Sequence, residues 1–239
     1  MIRALILTAF FICAFVPNAQ AKVLDIQPLT TPGGIRVWLV EDHTLPVLAI
    51  SFAFRSGAAT DPADRQGVSQ LLSNTLDEGA GEMKAREYQG LLRDKAIDLG
   101  FSSGRDSFSG SMRTLLRHQD TAINLLKLAV TAPRFDAEAV ERMRQANLTR
   151  IRSSLDDSSW IGARIMNDRI YAGHPYALNV GGTLKSMNAL TADDLRAARA
   201  RHFSRDRLVV GITGDINKDD AVRIVDQVFY DKEGAKQNV

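Results

Sequence analysis

Four polar side chains, Gln70, Ser73, Asn74 and Asp77, recur at i, i+3, i+4 and i+7. That spacing aligns residues along one stripe of an α-helix. Val68, Leu71, Leu72 and Leu76 supply an apolar side opposite them, so a helix is predicted from about Gln66 to Glu78, closed by Gly79. On spacing alone the stripe reads as a solvated helix face. Residues for the commoner chemistries are sparse. Of the four histidines, His43, His118, His174 and His202, none lies three or four residues from another, so no pair can chelate a metal from one helix face. Structural or solvent roles are expected for all four. The sequence contains no phosphate-binding G-x-x-x-x-G-K-S/T and no dinucleotide-binding G-x-G-x-x-G.

The composition of the 239 residues, 45% hydrophobic and 24% charged, excludes a collagen-like or wholly disordered chain. Charge is balanced, 30 Lys and Arg against 28 Asp and Glu, which argues against a nucleic-acid or anionic-membrane partner. No apolar run reaches the roughly 18 residues of a membrane span. Residues 1–21 read as a secretory signal: Arg3 is the positive region, Ala4 to Val16 the apolar one, and Ala19-Gln20-Ala21 the cleavage site. Cleavage before Lys22 is expected, giving a periplasmic or secreted mature chain of formal charge +1 once Arg3 is lost from the +2 total. The single cysteine, Cys13, leaves with the signal. Disulfides, thiolate zinc sites and cysteine nucleophiles are thereby excluded from the mature chain.

Strands are expected at Ile35–Glu41 and Val47–Phe54, the second with Leu48, Ile50, Phe52 and Phe54 on one face. Helices are expected at 66–78, 85–99, 117–132, 136–154, 159–171, 191–203 and 217–229. Phe101–Ser103 and Ser107–Leu115 read as a hairpin about Gly104-Arg105-Asp106, and Arg207–Gly214 as a late strand. Thr191 with Asp194 is a weak capping-box match. Strands and helices mix without strict alternation. The fold class expected is therefore α+β, with helices packed on one mostly antiparallel sheet, and residues 22–239 form a single domain.

Several segments taken together resemble the insulinase-type (pitrilysin-like, inverted-zincin) metallopeptidases. They are Leu45-Pro46-Val47, Phe54-Arg55-Ser56-Gly57-Ala58, Asp61-Pro62 and Gly67-Val68-Ser69-Gln70-Leu71-Leu72-Ser73-Asn74. They continue with Thr131-Ala132-Pro133-Arg134-Phe135-Asp136, His174-Pro175-Tyr176 with Gly181-Gly182, Met187 to Thr191, and Val209 to Asp215. Each is weak alone, but their order covers nearly all of Lys22–Phe229. The likeness is to the N-terminal half of the family's usual two-domain unit.

The resemblance implies a lost metal site. Active members carry H-x-x-E-H on the first helix, two His binding zinc and the Glu serving as general base, with a Glu ligand from a later helix. Gln70 and Asn74 fall in the two His places, Ser73 in the Glu place, and Arg150 where the third ligand is expected. Neutral amide oxygens are poor zinc donors beside imidazole, a serine cannot serve as a carboxylate base, and an arginine opposes a dication. No catalytic or metal-binding residue and no cofactor is therefore expected in this chain, with zinc confined to an active partner. The resemblance implies a non-catalytic homologue, a partner subunit or fragment contributing to a peptide-binding chamber. Its partners would be a zinc-bearing insulinase-family subunit and unfolded or extended peptide. Two alternatives stand beside it: an assembly protein using the fold as an interface, as zinc-less relatives in respiratory complexes do, and an active zinc peptidase with an unrecognised site.

Overall fold

The computed structural model describes residues 24–229. The signal expected at 1–21 and its expected cleavage site lie outside them, as do residues 230–239. The sheet has six strands: β1 (Gln27–Thr30), β2 (Arg36–Glu41), β3 (Val47–Phe54), β6 (Asp98–Ser103), β7 (Phe108–Leu115) and β8 (Leu208–Gly214). A two-stranded ribbon, β4 (Gly79–Ala80) and β5 (Met83–Lys84), stands apart. Helices are α1 (Val68–Ser73), α2 (Ala85–Asp94), α3 (Gln119–Thr131), α4 (Ala137–Leu155), α5 (Ser158–Ile170), α6 (Leu184–Ala189), α7 (Ala192–His202) and α8 (Lys218–Phe229).

Strand order is β1-β2-β8-β3-β7-β6, and every neighbouring pair is antiparallel except β2 with β8. The α+β class expected from the sequence is what forms. Strand β3 is largely apolar on both faces, but only one of them is fully buried. Leu48, Ile50, Phe52 and Phe54 are buried, while Ser51 on the other face is exposed. The buried face packs with Ile123 and Leu126 of α3 and with Ile224 and Val225 of α8. A second core joins α1, α4, α6 and α7 through Leu71, Leu72, Leu148, Met187 and Leu195. Each such buried aliphatic side chain contributes about 1.5–3 kcal/mol relative to exposure.

Two helices are shorter than the sequence predicts. The expected helix 66–78 is helical only over Val68–Ser73. Gln66 before it is extended, at ψ 134, and the Ser73 and Thr75 hydroxyls then take up the carbonyls of Gln70, Leu71 and Leu72. Such local side-chain bonds compete with further helix. The expected helix 85–99 stops at Asp94 because Ala96 turns left-handed, with φ 50. Ile97 N–H then bonds Leu92 O at 2.8 Å and Ala96 N–H bonds Arg93 O at 3.1 Å. This is a Schellman closure, which glycine usually supplies, so no sequence signal marked it. Residues 98–100 join β6 instead. Strand β1 and helix α6 were not foreseen. The latter carries its own signal, a capping box between Thr183 and Ser186.

Candidate functional site

Helix α1 is positioned by an approach only glycine permits. Gly67, at φ +85, caps its start, and a Cβ there would lie 2.7 Å from the Cα of Gly182. A Cβ on Gly182, itself at φ +78, would lie 2.7 Å from Gln66 O. The 179–183 loop thus sits directly on the entrance to the helix. Asn179 N–H donates to Gln66 Oε1 at 3.1 Å and Ser186 Oγ donates to Gln66 O at 2.8 Å.

Beneath the helix runs a buried polar chain that the sequence reading missed. Asp61 accepts the backbone N–H of Ser69 at 3.2 Å and also its hydroxyl. Ser69 Oγ is 2.6 Å from His202 Nε2, and His202 Nδ1 is 2.8 Å from Ser56 Oγ. With Ser69 donating to Asp61, Nε2–H donates to Ser69 and Nδ1 accepts from Ser56, so one neutral tautomer satisfies every member. Ser69 and His202 have no exposed surface. Burial pushes the His202 imidazole down to about 4, with Arg201 and Arg207 acting the same way, and burial raises the Asp61 carboxyl. The structural role expected for His202 is what the imidazole has here, and Ser69 is walled off from any substrate.

On the open side of α1 the expected site residues meet. Gln70 Nε2 donates to Asn74 Oδ1 at 2.8 Å and to Ser73 Oγ at 3.3 Å. Ser73 Oγ donates to Gln70 O at 2.9 Å. The stripe is therefore not simply solvated: Ser73 is buried and Gln70 and Asn74 are half-buried. Asp77 does not share it. The helix has ended by then, and its carboxylate takes Gln89 Nε2 at 3.2 Å. Burial, with the Glu78 charge adding, pushes Asp77 up to about 6.

Arg150, 76 positions beyond Asn74 on helix α4, returns to Gln70. The two line one cavity of about 220 Å³ with Trp160 of α5 and Asn179 and Gly181 of the loop. The Arg150 guanidinium donates to Asn147 Oδ1 at 2.9 Å. Trp160 and Asn179 were not foreseen. The Asn-Val-Gly-Gly run at 179–182 was the available signal for a turn there. These residues do not suit zinc. Two amides and a hydroxyl bonded to one another, beside a guanidinium, offer no anionic or imidazole donor. Among the described residues, no three His, Cys, Asp or Glu side chains group so as to hold a metal ion.

The fold that carries this cavity is shared with known structures. A peptidase M16 inactive domain from Pseudomonas fluorescens superposes at TM-score 0.81 and 26% identity, over 86% of this chain and 50% of that one. The chain is a homologue of the insulinase-type (M16) peptidases. The family model described as the peptidase M16 inactive domain matches residues 189–238. A Helicobacter pylori protein named a non-peptidase homologue, YmxG, is 28% identical over 204 residues, 85% of this chain and 47% of the relative. Pitrilysin shares the fold at TM-score 0.75 and 17% identity, over 88% of this chain and 23% of its own. The chain thus spans about half the length of the YmxG relative and of the Pseudomonas structure.

Proposed function

We propose that this protein is a non-catalytic insulinase-family subunit that acts in the periplasm against a zinc-bearing member of the family, contributing one wall of a chamber for extended peptide. Gln70, Ser73, Asn74 and Arg150 stand at the positions of a degenerate zinc motif, and their chemistry supports the loss of catalysis. The relative named a non-peptidase homologue supports the same reading.

The observation that carries the partner role is the outer face of helix α5. Ile165 is 57% exposed, Met166 60% and Ile170 64%. No residue of this helix is buried. A contiguous apolar face of this kind marks an interface, and α5 also walls the cavity at Gln70 through Trp160. Partner contact and peptide cavity therefore share one element. Among the described residues strand β6 lies at an edge of the sheet and packs beside α1, so an extended peptide can add there as a further strand.

The test mixes the full chain with a zinc-bearing insulinase-family subunit and measures association and peptide turnover together. Association with raised turnover is expected. Association with unchanged turnover would assign the fold to assembly instead, and turnover by the chain alone would restore direct catalysis.

A further inference from the structure

The site residues replace a place for a dication with a fixed cation, and the pocket charge follows. Among the described residues the Arg150 guanidinium has one hydrogen-bond partner, the neutral Asn147, and no carboxylate within ion-pair reach. No acidic residue lines the 220 Å³ cavity it shares with Gln70. Gln70 uses its Nε2 on Asn74 and Ser73, which leaves its Oε1 as an acceptor for an N–H. A second cavity of about 690 Å³ adjoins the first across Ile151, Trp160 and Asn179, and its lining is largely apolar, with Leu155, Leu178 and Leu184. Its charged residues are Arg164, Lys185 and Asp168, and Asp168 is already paired with Arg164. Across both cavities, three cations face one neutralised carboxylate.

The geometry points to a carboxylate-binding pocket at Arg150 and Gln70 that holds an extended peptide, with an apolar side chain of that peptide seated in the adjoining cavity. A guanidinium takes a carboxylate through a planar fork of donors. An amide oxygen on the same wall takes a peptide N–H. The apolar cavity supplies burial for a side chain next to the carboxylate. The carboxylate comes either from the peptide C-terminus or from an acidic side chain. This inference rests on the peptide-binding part of the proposed function and gives it a substrate feature.

The test measures binding of three fluorescent heptapeptides to the full chain. One ends in Leu-Leu with a free carboxylate, the second is its C-terminal amide, and the third is the amide with one internal Glu. The free acid is expected to bind at least about tenfold more tightly than the plain amide. Arg150→Gln should remove that difference and Arg150→Lys restore part of it, with thermal unfolding confirming that both variants fold. The third peptide identifies the source: binding as tight as the free acid, and dependent on Arg150, assigns an acidic side chain. Equal binding of acid and plain amide, or indifference to Arg150→Gln, overturns the carboxylate pocket and leaves peptide binding intact. Failure of all three peptides to bind overturns both, while stimulation of a zinc-bearing partner is read separately.

Discussion

Ser69 Oγ lies 2.6 Å from His202 Nε2 across 133 residues of sequence, and the bond ties the first turn of α1 to the last residue of α7. With Ser56 and Asp61 completing the chain, the start of the site helix is anchored by a buried network whose members have partners. Such a network stabilises only while its protonation state holds.

Stability against pH should reveal two opposing groups. His202 is held near 4 in the fold against an ordinary 6.5. The unfolded chain therefore binds its proton first, and stability is lost as pH falls from 6.5 toward 4. At about 1.36 kcal/mol per pH unit this amounts to about 3 kcal/mol. Asp77 is held near 6 against 3.8, so its contribution is full below 3.8 and is lost as pH rises through 6. The two offset each other between pH 4 and 6. Asp77→Asn removes the offset. That variant should be more stable than wild type at pH 7, by up to about 3 kcal/mol, and should lose stability more steeply toward pH 4. Urea unfolding at pH 7, 5 and 4 checks it, and parallel curves for the two proteins would contradict the assignment.

The close approach of Gly67 and Gly182 makes both sensitive to a single methyl group. Gly67→Ala places a Cβ 2.7 Å from the Gly182 Cα at a left-handed φ. A loss of about 2 kcal/mol or more is expected. Gly173→Ala is the control, since it has a comparable φ of +79 but nothing within 4 Å. It should cost only the backbone strain, about 1 kcal/mol. Equal losses in denaturant melts would mean that the loop does not bear on the helix.

Zinc affinity should depend on the four positions together. After dialysis against trace zinc, elemental analysis of the wild-type chain is expected to find far less than one zinc per chain. The combined change Gln70→His, Ser73→Glu, Asn74→His and Arg150→Glu should bring this close to one. Stoichiometric zinc in the wild type, lost on Gln70→Ala, would return the chain to the active peptidases.

The apolar face of α5 should govern association. Ile165→Lys with Ile170→Lys adds two charges to exposed positions and should leave the melting temperature within a few degrees. It should abolish binding to the zinc-bearing partner and any stimulation of it, read by sedimentation and turnover. Undiminished binding would place the interface elsewhere.

What the sequence determined was local. The run Val47–Phe54, largely apolar on both faces, marked a strand covered on at least one side, and it formed with those bounds. Asp136 and Thr191 marked helix starts, and α4 and α7 begin one residue after each. The spacing of Gln70, Ser73 and Asn74 put them on one side of a turn, where they now bond to each other. Repeats of 2 and 3.6 residues are properties of the backbone and are legible wherever side chains follow them.

The rest was decided by contacts between distant segments. α1 ends after Ser73 and Asp77 swings to Gln89, because hydroxyls and the neighbouring helix claim groups that further helix would have used. The left-handed turn at Ala96 carried no glycine to announce it. Arg150 shares a cavity with Gln70 only because the Gly181–Gly182 loop and Trp160 close round both. His202 is neutral only because Ser56, Ser69 and Phe108 surround it. Burial and electrostatics depend on what packs against a group, and that is fixed by long-range packing rather than by the residue's neighbours in the chain.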